Sequence, residues 1–360
     1  MERETTMSEL TAFRLSFFDF LDRLPLYSYR DRTGALNILL VGNGQRMLEE
    51  LLPAVATNGQ LLDTALHITL ACPNPERSME LLLQNAPWLP HFAALSCAGQ
   101  TVLENEREDV LCTIAFEGSP LEPDGIAQLA PSCKDCPYIL ISTGSDEKNA
   151  ALAQALGERC DRPTLIAYVQ RKKPSVLPAV RSECTVLVPF GFDDVKTELP
   201  KELEKIGLNL HASYAKSADS RCSVRQILSD FYNDEYTYAS NIEAAIHVKA
   251  KLLSCGIDCS DLDQAAKEFS DRLANDPALL SRLSAVEHNR WVLSKIFAGY
   301  RQLQDYDLIY QNGNTTHSTT QKWHTCLLPA DHTGVSVLTE KAWQAAEAGI
   351  APDPKLDPLD

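Results

Sequence analysis

Between residues 36 and 200, short apolar β-rich runs alternate with helix-forming stretches, and few architectures accommodate that pattern. The runs are LNILLV (36–41), HITLA (67–71), VLCTIAF (110–116), YILIS (138–142), TLIAYV (164–169) and CTVLVPF (184–190). They are apolar nearly continuously rather than at every second residue, which describes strands buried on both faces. Between them lie a helix carrying Leu48, Leu51, Leu52 and Val55, another near Ser78–Asn85, and TGSDEKNAALAQALG (143–157). The last has Ser145 as N-cap, acids in its first turn and Gly157 as its stop. Buried strands alternating with helices predict an α/β fold with a doubly wound parallel sheet.

After Pro200 no strand pattern is evident up to residue 300, and helices are predicted near 221–232, 240–255, 261–274 and 277–299. The tail after Gly299 is loop-rich, with a turn at Gln311-Asn312-Gly313-Asn314 and a frayed end, PDPKLDPLD. At the other end, Thr6-x-x-Glu9 reads as a capping box. It opens a helix with Leu10, Phe13, Phe17, Leu21 and Leu24 on one stripe, stopped by Pro25. That helix either docks on the next domain or dimerises. The expected organisation is an N-terminal helix (1–35), an α/β domain (36–200), a mostly helical domain (201–335) and a C-terminal helix and tail (336–360), in keeping with a 360-residue chain.

Composition narrows the partners. Lys and Arg total 33 against 49 Asp and Glu, a formal net charge of −16. A chain this acidic is not expected to bind nucleic acid or anionic membranes generally, since both need a basic face. No apolar run approaches the ~18 residues of a membrane span, and the first residues, MERETTMSEL, are charged where a signal peptide is apolar. The 11 cysteines are therefore expected to be reduced thiols of a cytoplasmic protein. Cys133-x-x-Cys136 is the only close pair, and a structural zinc site needs two. It reads as two thiols in a loop.

A strand, Gly42-Asn43-Gly44 and a helix form the arrangement that presents backbone N–H groups to a phosphate. Gly42 makes the tight turn and Gly44 allows close approach of the ligand. Met47 stands where a third glycine belongs and is expected to intrude on the phosphate path. The acid expected after the second strand is missing, so Asn74 is the residue left to meet a ribose. The loop suits NAD or another adenine nucleotide.

VGNGQRMLEELL (41–52) and FEGSPLEPDGIAQLAPSCKDCPYILISTGSDEKNAALAQAL (116–156) together resemble the TrkA-type nucleotide-binding domain of potassium-transport regulators. The family's Asp-Glu-x-Asn helix opening is matched by Asp146-Glu147-Lys148-Asn149, while Glu117-Gly118 only loosely occupies its Gly-Asp position. The resemblance covers about residues 36–170 and implies a Rossmann fold.

Two helices in the second half carry a cation where an apolar residue belongs. Ile242, Ile246 and Leu253 lie within about 40° of one another at 100° per residue, with Lys249 among them, in a helix expected to open at Ser240. In the last helix, Leu279, Leu283, Val286, Leu293 and Phe297 define a stripe centred near Arg290. A buried lone cation costs several kcal/mol unless paired. Each therefore needs an anion, either an acid such as Glu287, Glu243 or Asp261 or the phosphate or carboxylate of a ligand. Trp291 and Tyr300 either stack on a base or are core aromatics.

SNIEAAIHVKAKLLSCGI (240–257), AVEHNRWVLSKIFAGYR (285–301) and KWHTCLLP (322–329) resemble the bacterial RyR domain. Its acid-His-x-Arg-Trp helix, Gly-Trp and Lys/His segment ending in Leu-x-Pro correspond to Glu287, His288, Arg290 and Trp291, then Gly299-Tyr300, then Lys322, His324 and Pro329. Tyr300 replaces the usual Trp. The resemblance implies a nucleotide-type ligand sensor, with Lys249 and Arg290 at basic positions, as in proteins joining such a domain to a TrkA-like one.

Catalytic patterns find no footing. Tyr168-x-x-x-Lys172 imitates a dehydrogenase pair, but Tyr168 ends a strand and Pro174 follows. There is no GxSxG, GxxxxGK[ST] or HExxH, and the eight histidines lack metal-ligand spacing. The expectation is a non-catalytic sensor of a nucleotide or phosphorylated small molecule, a homo-oligomer acting in bacterial nucleotide signalling or antiphage defence. An NAD(P)-dependent oxidoreductase, with His288 beside Glu287 as its base, is the alternative.

Overall fold

The computed structural model describes residues 12–103, 110–126, 136–172, 184–191, 199–302, 317–319, 322–324 and 327. Eight strands form one sheet: β1 (Ala35–Gly42), β2 (Ala65–Cys72), β3 (Ala93–Cys97), β4 (Gln100–Leu103), β5 (Cys112–Gly118), β6 (Tyr138–Ser142), β7 (Thr164–Val169) and β8 (Thr185–Phe190). Their order is β4-β3-β5-β2-β1-β6-β7-β8. All neighbours are parallel except β3 and β4, an antiparallel hairpin turned through Ala98 (φ 50) and Gly99 (φ 77). Chain order runs outward from β1 in one direction through β2 and in the other through β6, which makes the β1/β6 boundary the topological switch point.

Both faces are buried along β1, β6 and β7, as continuous apolar runs require, whereas β5 alternates buried with half-buried residues and the edge strand β8 leaves Val186 exposed. Ile38, Leu40, Ile68, Leu70 and Leu140 join one core cluster, and Leu39, Val41, Ile139, Ile141 and Ile166 join the other. The second face is covered by α4 (Asp146–Gly157) through Leu152, Ala153 and Leu156. The first carries α1 (Ala12–Arg23), α2 (Leu52–Asn58) with the π-helical turn Met47–Leu51 before it, and α3 (Pro75–Asn85).

Helices α5 (Lys201–Ala218), α6 (Val224–Asn233), α7 (Glu235–Ser254), α8 (Leu262–Asn275) and α9 (Ala278–Phe297) follow. Val292, Leu293 and Ile296 of α9 and Ile242 of α7 join the core on the α1 face of the sheet. A small sheet of β9 (Arg301–Gln302), β10 (His317–Ser318) and β11 (Trp323–His324) follows α9. The fold is Rossmann-like α/β with a helical region, as expected.

Several details differ. The hairpin β3–β4 and helix α5 had no counterpart in the sequence pattern. Helix α7 opens at Asp234, whose carboxylate accepts from the Thr237 N–H, so Ser240 lies a turn inside the helix and caps nothing. The first helix docks within its own chain: Phe17 and Phe20 stack about Phe190 of β8 at 5.4 and 4.9 Å. The Thr6–Glu9 box, Leu10, Cys133, the Gln311–Asn314 turn, Pro329 and the region 336–360 lie outside the described residues.

Candidate functional site: a glycine-lined crevice and a polar helix seam

Strands β1 and β6 end side by side, with Gly42 paired to Ser142. A Cβ on Gly42 would stand 1.9 Å from the Ser142 carbonyl oxygen, so no larger residue fits there. Gly44, at φ +87, is the opposite case: no atom lies within 4 Å of where its Cβ would be. The space above it is open, and the helix leading into α2 starts directly after it, with the Leu48 N–H donating to the Gly44 carbonyl at 3.3 Å. Met47 does not intrude on this space. Its side chain is fully buried and turns beneath the loop, 2.9 Å from the Gly42 Cβ position, as the wider π-helical turn begins.

The facing loop, Thr143-Gly144-Ser145, repeats the arrangement. Gly144 has φ +84 and nothing within 4 Å of its Cβ position. Ser145 caps α4, its hydroxyl accepting from the Lys148 N–H at 3.3 Å. Asn149, buried beneath, accepts from the Thr143 N–H and hydroxyl at 2.8 Å each and donates to the Val169 carbonyl at 2.8 Å. It thereby ties the ends of β6 and β7 together. Two helix N-termini thus flank one crevice at the carboxyl edge of the sheet. Asn74 is exposed at the same edge, before α3, and its side chain makes no capping bond. The hydroxyl of Ser119, after β5, is buried without a partner. Of the nearby cations, Lys148 pairs with Glu122 at 2.8 Å, Arg171 pairs with Asp146 at 3.5 Å, and the Arg46 guanidinium lies 4.4 Å over the Phe13 ring.

The second polar assembly lies between α7 and α9. Ser240, Glu243, His247, Lys251 and Ser254 fall within about 80° of arc on α7 at 100° per residue, and Glu287, Arg290 and Ser294 form a matching stripe on α9. Arg290 is buried, as its stripe predicts. Its Nε and Nη2 donate to Glu287 at 3.0 and 2.8 Å, and Nη1 lies 3.5 Å from Glu243. Glu243 also accepts from Arg14 of α1 at 3.0 Å. Lys251 Nζ is 2.5 Å from Glu287 Oε2, and His247 Nδ1 is 3.5 Å from the same oxygen. That long contact is all Nδ1 has and Nε2 has no partner, although the side chain is fully buried.

Charge states follow from this packing. Burial works against the Glu287 carboxylate, but Arg290, His247 and Lys251 override it and hold its carboxyl well below the usual range. Burial likewise opposes Glu243, and Arg14 and Arg290 bring it below its ordinary value. For His247, burial dominates and the Lys251 and Arg290 charges add to it, so its pKa falls to about 4 against the pull of Glu287. Burial also lowers that of Lys251.

This carries a pH prediction. Unfolded chains take up the His247 proton near the ordinary histidine value of 6.5, whereas the folded chain resists it to about 4. The stabilising contribution is complete above pH 6.5 and is lost as pH falls towards 4, by up to about 3 kcal/mol at 1.36 kcal/mol per unit. Urea unfolding from pH 7 to pH 4 measures it. The expected slope is steeper in the wild type than in His247→Gln, and equal slopes would contradict the assignment.

Lys249 does not share this environment. Its side chain is 35% exposed, and Nζ reaches the Asp22 carboxylate and carbonyl at 2.9 Å each. It points to the end of α1 rather than inward, because a lysine at the margin of a helix–helix contact extends its amine to the nearest acid. The remaining expected residues form an aromatic group. Trp291, half-buried, meets His324 edge-on at 4.7 Å. The Lys322 Nζ stands 4.6 Å over the buried Tyr300 ring, and Tyr236 is 5.9 Å away on the other side. Segments 240–257, 285–301 and 322–324 are therefore brought together, with Lys249 facing away. His247 and Lys251 escaped the sequence analysis because they lie opposite the Ile242 stripe, on a face that reads as solvated until α9 covers it.

Tyr168 is buried at the end of β7 and Lys172 is exposed beyond it, so that pair shares no helix face. Among the described residues no group of three or more His, Cys, Asp or Glu could hold a metal ion, and no helix is long and apolar enough to cross a membrane. Compared with protein-family models, curated proteins and solved structures, the chain matches none of them.

Proposed function

We propose that the chain is a non-catalytic regulatory protein that binds a nucleotide or related phosphorylated small molecule in the β1/β6 crevice. The observation that carries this reading is the contrast between its two loop glycines. Gly42 is closed in by backbone, while Gly44 opens on empty space at a helix start, where backbone N–H groups and the helix dipole favour an anion. Gly144 and the capped start of α4 across the crevice support a second anionic contact. With Lys148 and Arg171 engaged by acids and Arg46 laid on the Phe13 ring, recognition falls to backbone amides, which suits a phosphate diester or pyrophosphate better than a large polyanion.

The resemblances to TrkA-type and RyR-type domains point the same way, and the association of segments 240–257, 285–301 and 322–324 is consistent with the second. A homo-oligomer belongs to the same proposal.

Calorimetry against NAD, ADP-ribose, ATP and cyclic nucleotides tests it. At least one is expected to bind the wild type, and Gly44→Val, which fills the open space, should weaken that binding about tenfold or more, or roughly 1.4 kcal/mol. Absence of binding across the panel, or unchanged affinity in Gly44→Val, overturns the proposal.

A further inference from the structure

We infer that Glu287 is a built-in stand-in for a ligand's anionic group, and that the slot formed by His247, Lys251 and Arg290 accepts a phosphate-sized anion when this carboxylate swings outward. The slot lies between α7 and α9, apart from the crevice, and does not depend on it.

The first ground is coordination. One carboxylate receives two donors from Arg290 at 3.0 and 2.8 Å and one from Lys251 at 2.5 Å, with His247 at 3.5 Å. A fork from arginine plus the point charge of lysine is the set of groups that holds a phosphate or carboxylate. The second ground is incompleteness. The imidazole is wholly buried, its Nε2 has no partner, and its Nδ1 has only the long 3.5 Å contact with Glu287. The carboxylate meets Arg290 with Oε1 and Lys251 with Oε2 and leaves Nε2 of the ring unreached, whereas a tetrahedral anion has further oxygens for that nitrogen. Buried polar groups left without partners are exceptions that call for an explanation.

The third ground is access. The Glu287 side chain is 30% exposed, against 3% for Arg290 and 17% for Lys251. Glu287 is thus the most exposed member of the group. Arg290 would not be stranded by its departure, because Glu243, itself anchored by Arg14, remains beside it.

The test uses inorganic phosphate on the full chain, with ionic strength held constant by potassium chloride. Thermal unfolding and calorimetry are followed for the wild type and for Glu287→Gln, which keeps size and hydrogen bonding while removing the charge. Phosphate is expected to stabilise Glu287→Gln and to bind it at least about tenfold more tightly than the wild type. Adding Lys251→Met should abolish the gain, and adding Gly44→Val should leave it intact. No phosphate-specific stabilisation of Glu287→Gln overturns the inference, as does loss of the effect with Gly44→Val, which would place the anion in the crevice. If Glu287→Gln does not fold, Glu287→Asp, whose shorter arm withdraws the charge from the slot, decides in the same way: tighter phosphate binding than wild type upholds the inference, and equal binding overturns it.

Discussion

Replacing Arg290 by alanine is expected to lower the free energy of unfolding by about 3–5 kcal/mol, the range for removing one partner from a buried ion pair. The guanidinium serves two acids, Glu287 on its own helix and Glu243 across the seam. Its removal leaves Glu287 to Lys251 and Glu243 to Arg14, and opens a void between α7 and α9. Arg290→Lys should recover little, since an ammonium cannot present two parallel donors to Glu287 while reaching Glu243. The triple replacement of Glu243, Glu287 and Arg290 by apolar residues of similar volume should be far less damaging than the single one, because no buried charge is then left alone. Urea denaturation midpoints for these variants check the argument. A loss below about 1 kcal/mol for Arg290→Ala, the level of a surface pair, would show the seam to be solvated.

Gly42→Ala should be comparably severe for a different reason. The added carbon would fall 1.9 Å from the Ser142 carbonyl oxygen and 2.7 Å from its carbon. Both belong to the backbone of β6, so relief requires separating two central strands, not turning a side chain. Overpacking against a rigid neighbour costs about 1–3 kcal/mol and occasionally more, and this site belongs at or above the top of that range. Gly44→Ala is the internal control. It meets no atom, and its cost is confined to holding a left-handed residue, about 1–2 kcal/mol. If the two variants unfold at the same urea concentration, the close approach of β1 and β6 is wrong.

Local signals made much of the fold legible in the sequence. The six short apolar runs are strands because each is β-rich and bounded by turn or helix signals, and Ser145 caps α4 because serine before paired acids is a local device. The pair β3–β4 was missed because AALSC and QTVL are short and flank a turn whose first residue, Ala98, gives no warning of positive φ. The π-helical turn escaped because Met47 had to be judged as part of a regular helix. Arg290 was correctly placed inside by the Leu279, Leu283 and Leu293 stripe, and two of the three acids considered for it, Glu287 and Glu243, are its partners. Lys249 had the same signature on α7, yet the helix sits so that Asp22 reaches it from α1. Which face of α7 is covered is a property of packing across the chain, and no periodicity within that helix contains it.

The docking of α1 has a consequence for how the chain is made. Its aromatic face is completed by Phe190, and Arg14 finds its carboxylate at Glu243, a separation of 229 residues. At roughly 5–20 residues per second of synthesis, a helix begun at residue 12 waits on the order of 10–40 s before the strand that shelters it exists. Through that interval Phe13, Phe17 and Phe20 lack the Phe190 ring against which they pack in the folded chain.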